Sequence, residues 1–266
     1  MTDAPHHTAA SRGSNARLPA DIWPIRSAVA IADGIEICRR TGQMGLISGP
    51  SGTGKTTAAS ATVAALAGAD IEAHYVMMTR AHDGLLPGLL RIASAIGVHT
   101  QPSLGCAGVY DDLVNHMASS WRHGSVLVLD EAQFMSEALI DGLRNIADDL
   151  RGQHRARGIV MVGTPELAAR INGKSGGRSK HFAPLRGRLY MADIEELSGD
   201  DFATIAAHYE LPGKQAVELM ARIGTGRGGL HNVARVIPMA ERIAGQGKPL
   251  SLGGLRVAVQ GLGVAS

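Results

Sequence analysis

Gly49-Pro50-Ser51-Gly52-Thr53-Gly54-Lys55-Thr56 fits the pattern G-x-x-x-x-G-K-[ST]. Residue types at this spacing can capture a polyphosphate. Glycines let the backbone wrap a β-phosphate, and a following helix turns unpaired N–H groups and its dipole toward the anion. Lys55 would then reach the β- and γ-phosphates, and the Thr56 hydroxyl would ligate Mg²⁺, with Thr57 next in the nucleotide-binding set. A second constellation, Asp130-Glu131, follows four apolar residues about seventy-five positions later. Asp130 is placed to hold Mg²⁺ through water, and Glu131 to polarise an attacking water as general base. A third candidate is Thr164 in Gly163-Thr164-Pro165-Glu166: it can touch a γ-phosphate or orient the water, or it can simply cap the next helix. The fourth is Arg188 in Leu185-Arg186-Gly187-Arg188-Leu189. An arginine there cannot easily cross the sheet to its own nucleotide but can reach a neighbour's, stabilising transition-state charge in trans. The alternative is a surface or DNA-contacting arginine.

The elements that must hold these residues are legible around them. Met44 to Ser48 is a short apolar run that reads as a strand, and the Ala-rich stretch Thr56 to Leu66 reads as a helix. Ile25, Val29, Ala32, Ile35 and Ile37 mark an earlier helix ending near Gly42. Further strands are expected at Ala73 to Thr79, Ser125 to Leu129, Gly158 to Gly163 and Leu189 to Ile194, with helices at Leu85 to Ile96, Tyr110 to Trp121 and from Ser136 to about Leu150. Ser125 to Leu129 is continuously apolar, as befits a strand buried on both faces. The alternation predicts an α/β fold with a parallel five-stranded sheet flanked by helices. The second strand is expected at the sheet edge, which would leave the glycine-loop strand and the Asp130 strand adjacent. Residues 198–266 read as helices separated by glycine-rich turns. The expected division is a flexible N-terminal arm over 1–24, a main α/β domain over 25–196 and a small helical domain over 197–266.

With 266 residues, 45% hydrophobic and 19% charged, the chain has an ordinary globular composition. Two cysteines, Cys38 and Cys106, have no partner at metal-ligand spacing, and a reducing cytoplasm is the expected setting. His6-His7 lies in the polar arm without further ligands nearby. No apolar run approaches the roughly 20 residues of a membrane span, and no membrane association is expected. The net charge of +2 conceals a local excess: from Arg151 to Tyr190 nine basic residues face one acidic residue, a net +8. That run is either a solvated face or a polyanion contact.

Taken together, these segments resemble the AAA+ ATPases, within them the group of phage Mu transposition protein B, TniB-like transposon ATPases and ExeA-type secretion ATPases. The resemblance is carried by the glycine loop, by Leu127 to Gln133, by Val162 to Leu167 and by His181 to Leu189. It implies ATP and Mg²⁺ as ligands, Thr164 at the sensor-1 position, Arg188 at the arginine-finger position and a C-terminal helical lid. The sensor-2 residue should lie in Gly226 to Asn232, where His231 stands in place of the usual arginine and Arg227 is close by. The polar, basic stretch Ala168 to Pro184 resembles the Mu B-type members most. That likeness implies ATP-dependent self-association into a ring or helical filament on double-stranded DNA, without sequence preference, and activation of a transposase. Candidate DNA contacts are Arg80, Arg151, Arg155, Arg157, Lys174, Arg178 and Lys180. An assembly ATPase acting on protein partners, as in the secretion type, is the alternative.

Overall fold

The computed structural model describes residues 18–19, 21–152, 156–173, 182–211, 213–226 and 228–264. Five strands, β1 (Met44–Ser48), β2 (Ala73–Met77), β3 (Ser125–Asp130), β4 (Arg157–Gly163) and β5 (Tyr190–Asp193), form one sheet in the order β2-β3-β4-β1-β5. All its pairings are parallel. The fold class read from the alternation therefore holds, but one expectation about strand order does not. β4 lies between β1 and β3, so the glycine loop and Asp130 sit on strands separated by a third. The position after β4, Thr164, is thereby placed between them, since Ser48 pairs with Gly163 and Leu129 with Met161.

Side chains alternate across this sheet, as strand geometry requires. Ile47, Val126, Val128, Val160 and Val162 join one apolar cluster with α1 (Arg26–Thr41) and α2 (Lys55–Gly68). Met44, Leu46, Leu127, Leu129, Ile159 and Met161 join another with α3 (Leu85–Ala95), α4 (Gly105–Ser120) and α5 (Glu137–Arg151), to which α6 (Pro165–Asn172) and α7 (Ala183–Arg186) add residues. α1 lies so close to the sheet that a Cβ on Gly158 would stand 2.8 Å from the backbone of Cys38 and Arg39. Any larger residue on β4 at that point would push the helix off.

Four more helices follow: α8 (Gly199–His208), α9 (Lys214–Thr225), α10 (Leu230–Ala244) and α11 (Leu252–Gly261). Their buried residues, among them Phe202, Ile223, Val233 and Leu255, are continuous with the cluster on the α1 side of the sheet. The segment ahead of α1 also packs there: Leu18, Ile22 and Trp23 rest on the same cluster, and the Trp23 indole donates to the Tyr209 hydroxyl at 3.1 Å. The last residues of the stretch read as a flexible arm are thus part of the folded body, because they carry apolar side chains that the polar composition upstream obscured.

Candidate functional site

The glycine loop leaves the end of β1 and enters α2 through residues that can turn. Gly52 and Gly54 have φ of 81° and 84°, a region that β-carbons disfavour. Behind the loop, Ser27 on α1 donates to the Thr53 carbonyl at 2.8 Å, and the Thr53 hydroxyl donates to the Pro50 carbonyl at 2.9 Å. The Lys55 ammonium folds back on the loop, donating to the carbonyls of Gly49 (2.8 Å) and Pro50 (2.6 Å). Burial lowers its pKa, while Asp130, Glu131 and Glu166 oppose the shift.

These residues form part of the wall of a cavity of about 470 Å³. Ser51 to Thr57, Asp130, Glu131, Thr164 and His231 all line it. Gly49 and Pro50 do not line it; Gly49 lies so tightly against the residue that follows β5 that a Cβ would meet Ile194 at 2.6 Å. Arg188 does not line it; its side chain is 58% exposed and its guanidinium lies 3.4 Å from Asp148 on α5. Arg227 falls outside the described residues.

Asp130 is 2% exposed. Its Oδ2 accepts from the Tyr75 hydroxyl at 2.6 Å and its Oδ1 from the Glu131 N–H at 2.8 Å. Among the described residues no cation lies within ion-pair distance of it. A buried carboxylate with only neutral donors is a site that favours a cation. No group of three or more metal-ligating side chains occurs among the described residues. Glu131 has φ 55°, ψ 35°, a left-handed conformation costly for a residue with a β-carbon. Its carboxylate accepts a short hydrogen bond from the Gln133 amide. The Thr164 hydroxyl engages Glu166 and holds that carboxyl below its usual range, while Thr164 also precedes Pro165 at the start of α6. Thr164 thus lines the cavity and occupies the N-cap position of α6, where its side chain makes no capping hydrogen bond.

Part of the cavity wall lies outside the motifs that the sequence displays. Asp21, Ile22, Trp23, Ile25, Ala28, Leu230 and Ala234 line it too, a mostly apolar wall of the kind that accepts a flat ring. α10 is docked straight onto the glycine loop: the Leu230 N–H donates to the Gly52 carbonyl at 3.0 Å, and a Cβ on Gly229 would stand 2.6 Å from that oxygen. The glycine run Gly226 to Gly229 carried the signal of a close approach, and the apolar trio Ile22, Trp23 and Ile25 carried that of the wall.

A family model described as an AAA domain matches residues 38–171. The chain belongs to the AAA domain family. It is a family of ATPases, and its fold implies nucleotide binding, typically with Mg²⁺. Among solved structures, the AAA chain resembles ORC2 of Aeropyrum pernix in its ADPNP–ADP complexes, with TM-score 0.61 and 16% identity over 88% of this chain and 66% of that one. Cdc6p of Pyrobaculum aerophilum gives 0.60 at 16% identity, over 87% and 64%. ORC1 of Aeropyrum pernix in complex with DNA gives 0.59 at 16% identity, over 92% and 67%. The chain spans just under two thirds of the first two proteins, and at this identity the likeness is one of fold. No curated protein matches the chain in sequence.

The DNA candidates divide on burial. Arg80 is exposed with its guanidinium 5.7 Å from the Phe134 ring centre, and Arg151 is exposed beside Asp148 at 3.5 Å. Arg157 is a correction. It is 2% exposed and donates to the carbonyls of Ala118, Trp121 and Leu150, where α4 and α5 end. It closes helix C-termini and cannot reach a duplex. Arg155, Lys174, Arg178 and Lys180 lie outside the described residues. Within the basic run, Arg170 is half-buried, donating to the Met135 carbonyl at 2.8 Å, and burial lowers its pKa. Much of the described part of the run thus serves the fold. No helix among the described residues is long and apolar enough to cross a membrane.

Proposed function

We propose that this AAA domain binds ATP in the cavity between the glycine loop and α10, hydrolyses it in an assembly of copies, and in the ATP state clusters on double-stranded DNA to activate a transposase. The observation that carries the nucleotide reading is the joint presence of Lys55, Thr56, Asp130, Glu131 and Thr164 on one cavity wall. In this reading Lys55 exchanges the loop carbonyls for phosphate oxygens, and the apolar wall from Ile22 to Ala28 with Leu230 takes the base. Mg²⁺, held by Thr56 and through water by Asp130, would supply charge neutralisation at the β- and γ-phosphates. Glu131 takes the proton of the attacking water at a carboxylate oxygen once Gln133 releases it, and Thr164 orients that water. Arg188, free of its own cavity, acts on the neighbour's γ-phosphate. Residues 25–196 would then be the ATPase domain and 197–266 the lid, with His231 and Arg227 the lid residues that meet the nucleotide.

DNA binding is supported by the resemblance to Mu B-type proteins and by two solved relatives of similar fold whose structures contain DNA, from Aeropyrum pernix and Drosophila. Arg80 and Arg151 are the described candidates, with Arg155, Lys174, Arg178 and Lys180 beside them in sequence. One observation favours the alternative, an ATPase acting on protein partners: Arg157 and Arg170 are spent inside the fold, which lowers the charge available to a duplex. Anisotropy of a labelled random-sequence duplex, titrated with protein in ATP and in ADP at two salt concentrations, separates the two. Cooperative binding in ATP alone, weakened about tenfold per decade of salt for each phosphate neutralised, is expected. Absence of binding in both nucleotides would sink the DNA reading and leave the protein-partner one.

A further inference from the structure

Asp130 is held by a residue from the sheet edge. β2 pairs only with β3 among the described strands, in the register Tyr75 with Val128 and Met77 with Asp130. Tyr75 and Met77 point to the same face by strand alternation, and the Tyr75 phenol, long enough to span the two-residue offset, donates to Asp130 Oδ2 at 2.6 Å. The ring packs on the apolar cluster of the α1 side, so its hydroxyl is delivered from a fixed platform. Oδ1 is fixed in turn by the Glu131 N–H at 2.8 Å. Both carboxylate oxygens are therefore anchored and the plane of the group is set, while the carboxylate remains on the wall of the cavity.

We infer that Tyr75 is a positioning residue for the divalent cation, orienting Asp130 toward the water shell of a nucleotide-bound Mg²⁺. This rests on the Mg²⁺–nucleotide reading given above. Tyr75 is not among the residues lining the cavity; its role runs through Asp130. Outer partners of this kind set the orientation of a ligand group, and their loss weakens metal binding by roughly 10- to 100-fold. A hydroxyl is suited to the task because it spends a lone pair of Oδ2 without adding a positive charge that would compete with the cation.

Tyr75→Phe keeps the ring and removes only the donor. With a fluorescent ATP analogue as probe, affinity is measured for the full chain in EDTA and across a Mg²⁺ titration, with a thermal melt of each protein. The expected result is an unchanged affinity in EDTA, within about twofold, and a Mg²⁺ midpoint raised about 10-fold. In an Asp130→Asn background the Tyr75→Phe change should add no further shift, since both act through one group. An unchanged Mg²⁺ midpoint in Tyr75→Phe would overturn the inference, as would a parallel loss of affinity in EDTA, which marks a packing role. If wild-type protein binds the analogue with no response to Mg²⁺, the cation reading of Asp130 fails first and the inference falls with it. If it binds no nucleotide, the reading of the whole cavity is the one that fails.

Discussion

At the scale of single residues, type alone does not fix a role; burial does. Arg157 and Arg188 are the same amino acid in one basic run, yet one is sealed among helix ends and the other is 58% exposed. Nothing in the sequence marks which of them is buried, because the contacts that bury Arg157 come from the ends of α4 and α5 and depend on how those helices pack. Lys55, Asp130 and Glu131 were legible for the opposite reason: the loop pattern and the apolar strand ahead of the carboxylates are local, and locality is what sequence displays. Tyr75 was not, since its contact with Asp130 depends on the β2–β3 register. Arg157 also gives a direct test of the correction. Replacing it by alanine leaves the carbonyls of Ala118, Trp121 and Leu150 short of a buried donor. Urea denaturation should show a loss of about 2–4 kcal/mol. DNA affinity per folded molecule should not change; a steep loss of DNA binding without loss of stability would restore Arg157 to the contact surface.

Elements are legible in the sequence where hydrophobic runs are unbroken. β1 runs from Met44 to Ser48 as expected, and β4 begins one residue early, at Arg157. Strand order was a different matter, because neighbours in a parallel sheet are joined by long crossovers that leave no local trace. Contacts between elements were equally hidden, and one of them ties the start of α1 to α8. The Asp201 carboxylate, 2% exposed, accepts from the Arg26 backbone N–H at 3.0 Å and from its guanidinium at 3.0 Å, and also closes the cap of α8 with Ser198. Because Ser27 next door holds the Thr53 carbonyl, this carboxylate braces the glycine loop from the far side. Burial pushes the Asp201 pKa up, but the Arg26 and Ser198 hydrogen bonds outweigh it and hold the group below its usual range. A depressed folded pKa contributes stability above the unfolded value of about 3.9, and that contribution is lost as pH falls through the folded pKa. Asp201→Asn should therefore be less stable than wild type by about 1–3 kcal/mol at neutral pH. The gap should begin to narrow below about pH 4, where the carboxylate of the unfolded chain starts to protonate, and should close as pH falls through the depressed folded pKa. Denaturation midpoints at neutral and acid pH measure it; a gap that persists unchanged in acid would mean the carboxylate's charge is irrelevant to the brace.

For the whole molecule, the proposed site is incomplete in one copy. The cavity-lining groups named above come from the glycine loop and the start of α2, the end of β3 and the residues after β3 and β4, α1 with the segment ahead of it, and α10, whereas Arg188 sits outside the cavity and is paired at 3.4 Å with Asp148, itself shared with Arg144 and Arg151. A half-exposed pair of this kind is worth little and is easily exchanged for a stronger anion. The γ-phosphate of a neighbouring copy offers more charge in a drier setting, so assembly would draw Arg188 from Asp148 onto the adjacent nucleotide. Two variants test this by complementation. Glu131→Gln has an intact finger but no base, and Arg188→Ala has an intact cavity but no finger. Each alone should bind ATP and hydrolyse it at least 100-fold more slowly than wild type, roughly the lower part of the range for a lost base or finger. Mixed in equal amounts before ATP is added, they should recover a substantial fraction of wild-type turnover, because half the contacts between unlike copies unite a working base with a working finger. Recovery should rise with total protein concentration and vanish on dilution below the assembly threshold. If Arg188→Ala alone turns over ATP at the wild-type rate, or if the mixture is no faster than its parts at any concentration, Arg188 does not act across a subunit boundary and its pairing with Asp148 is its whole role.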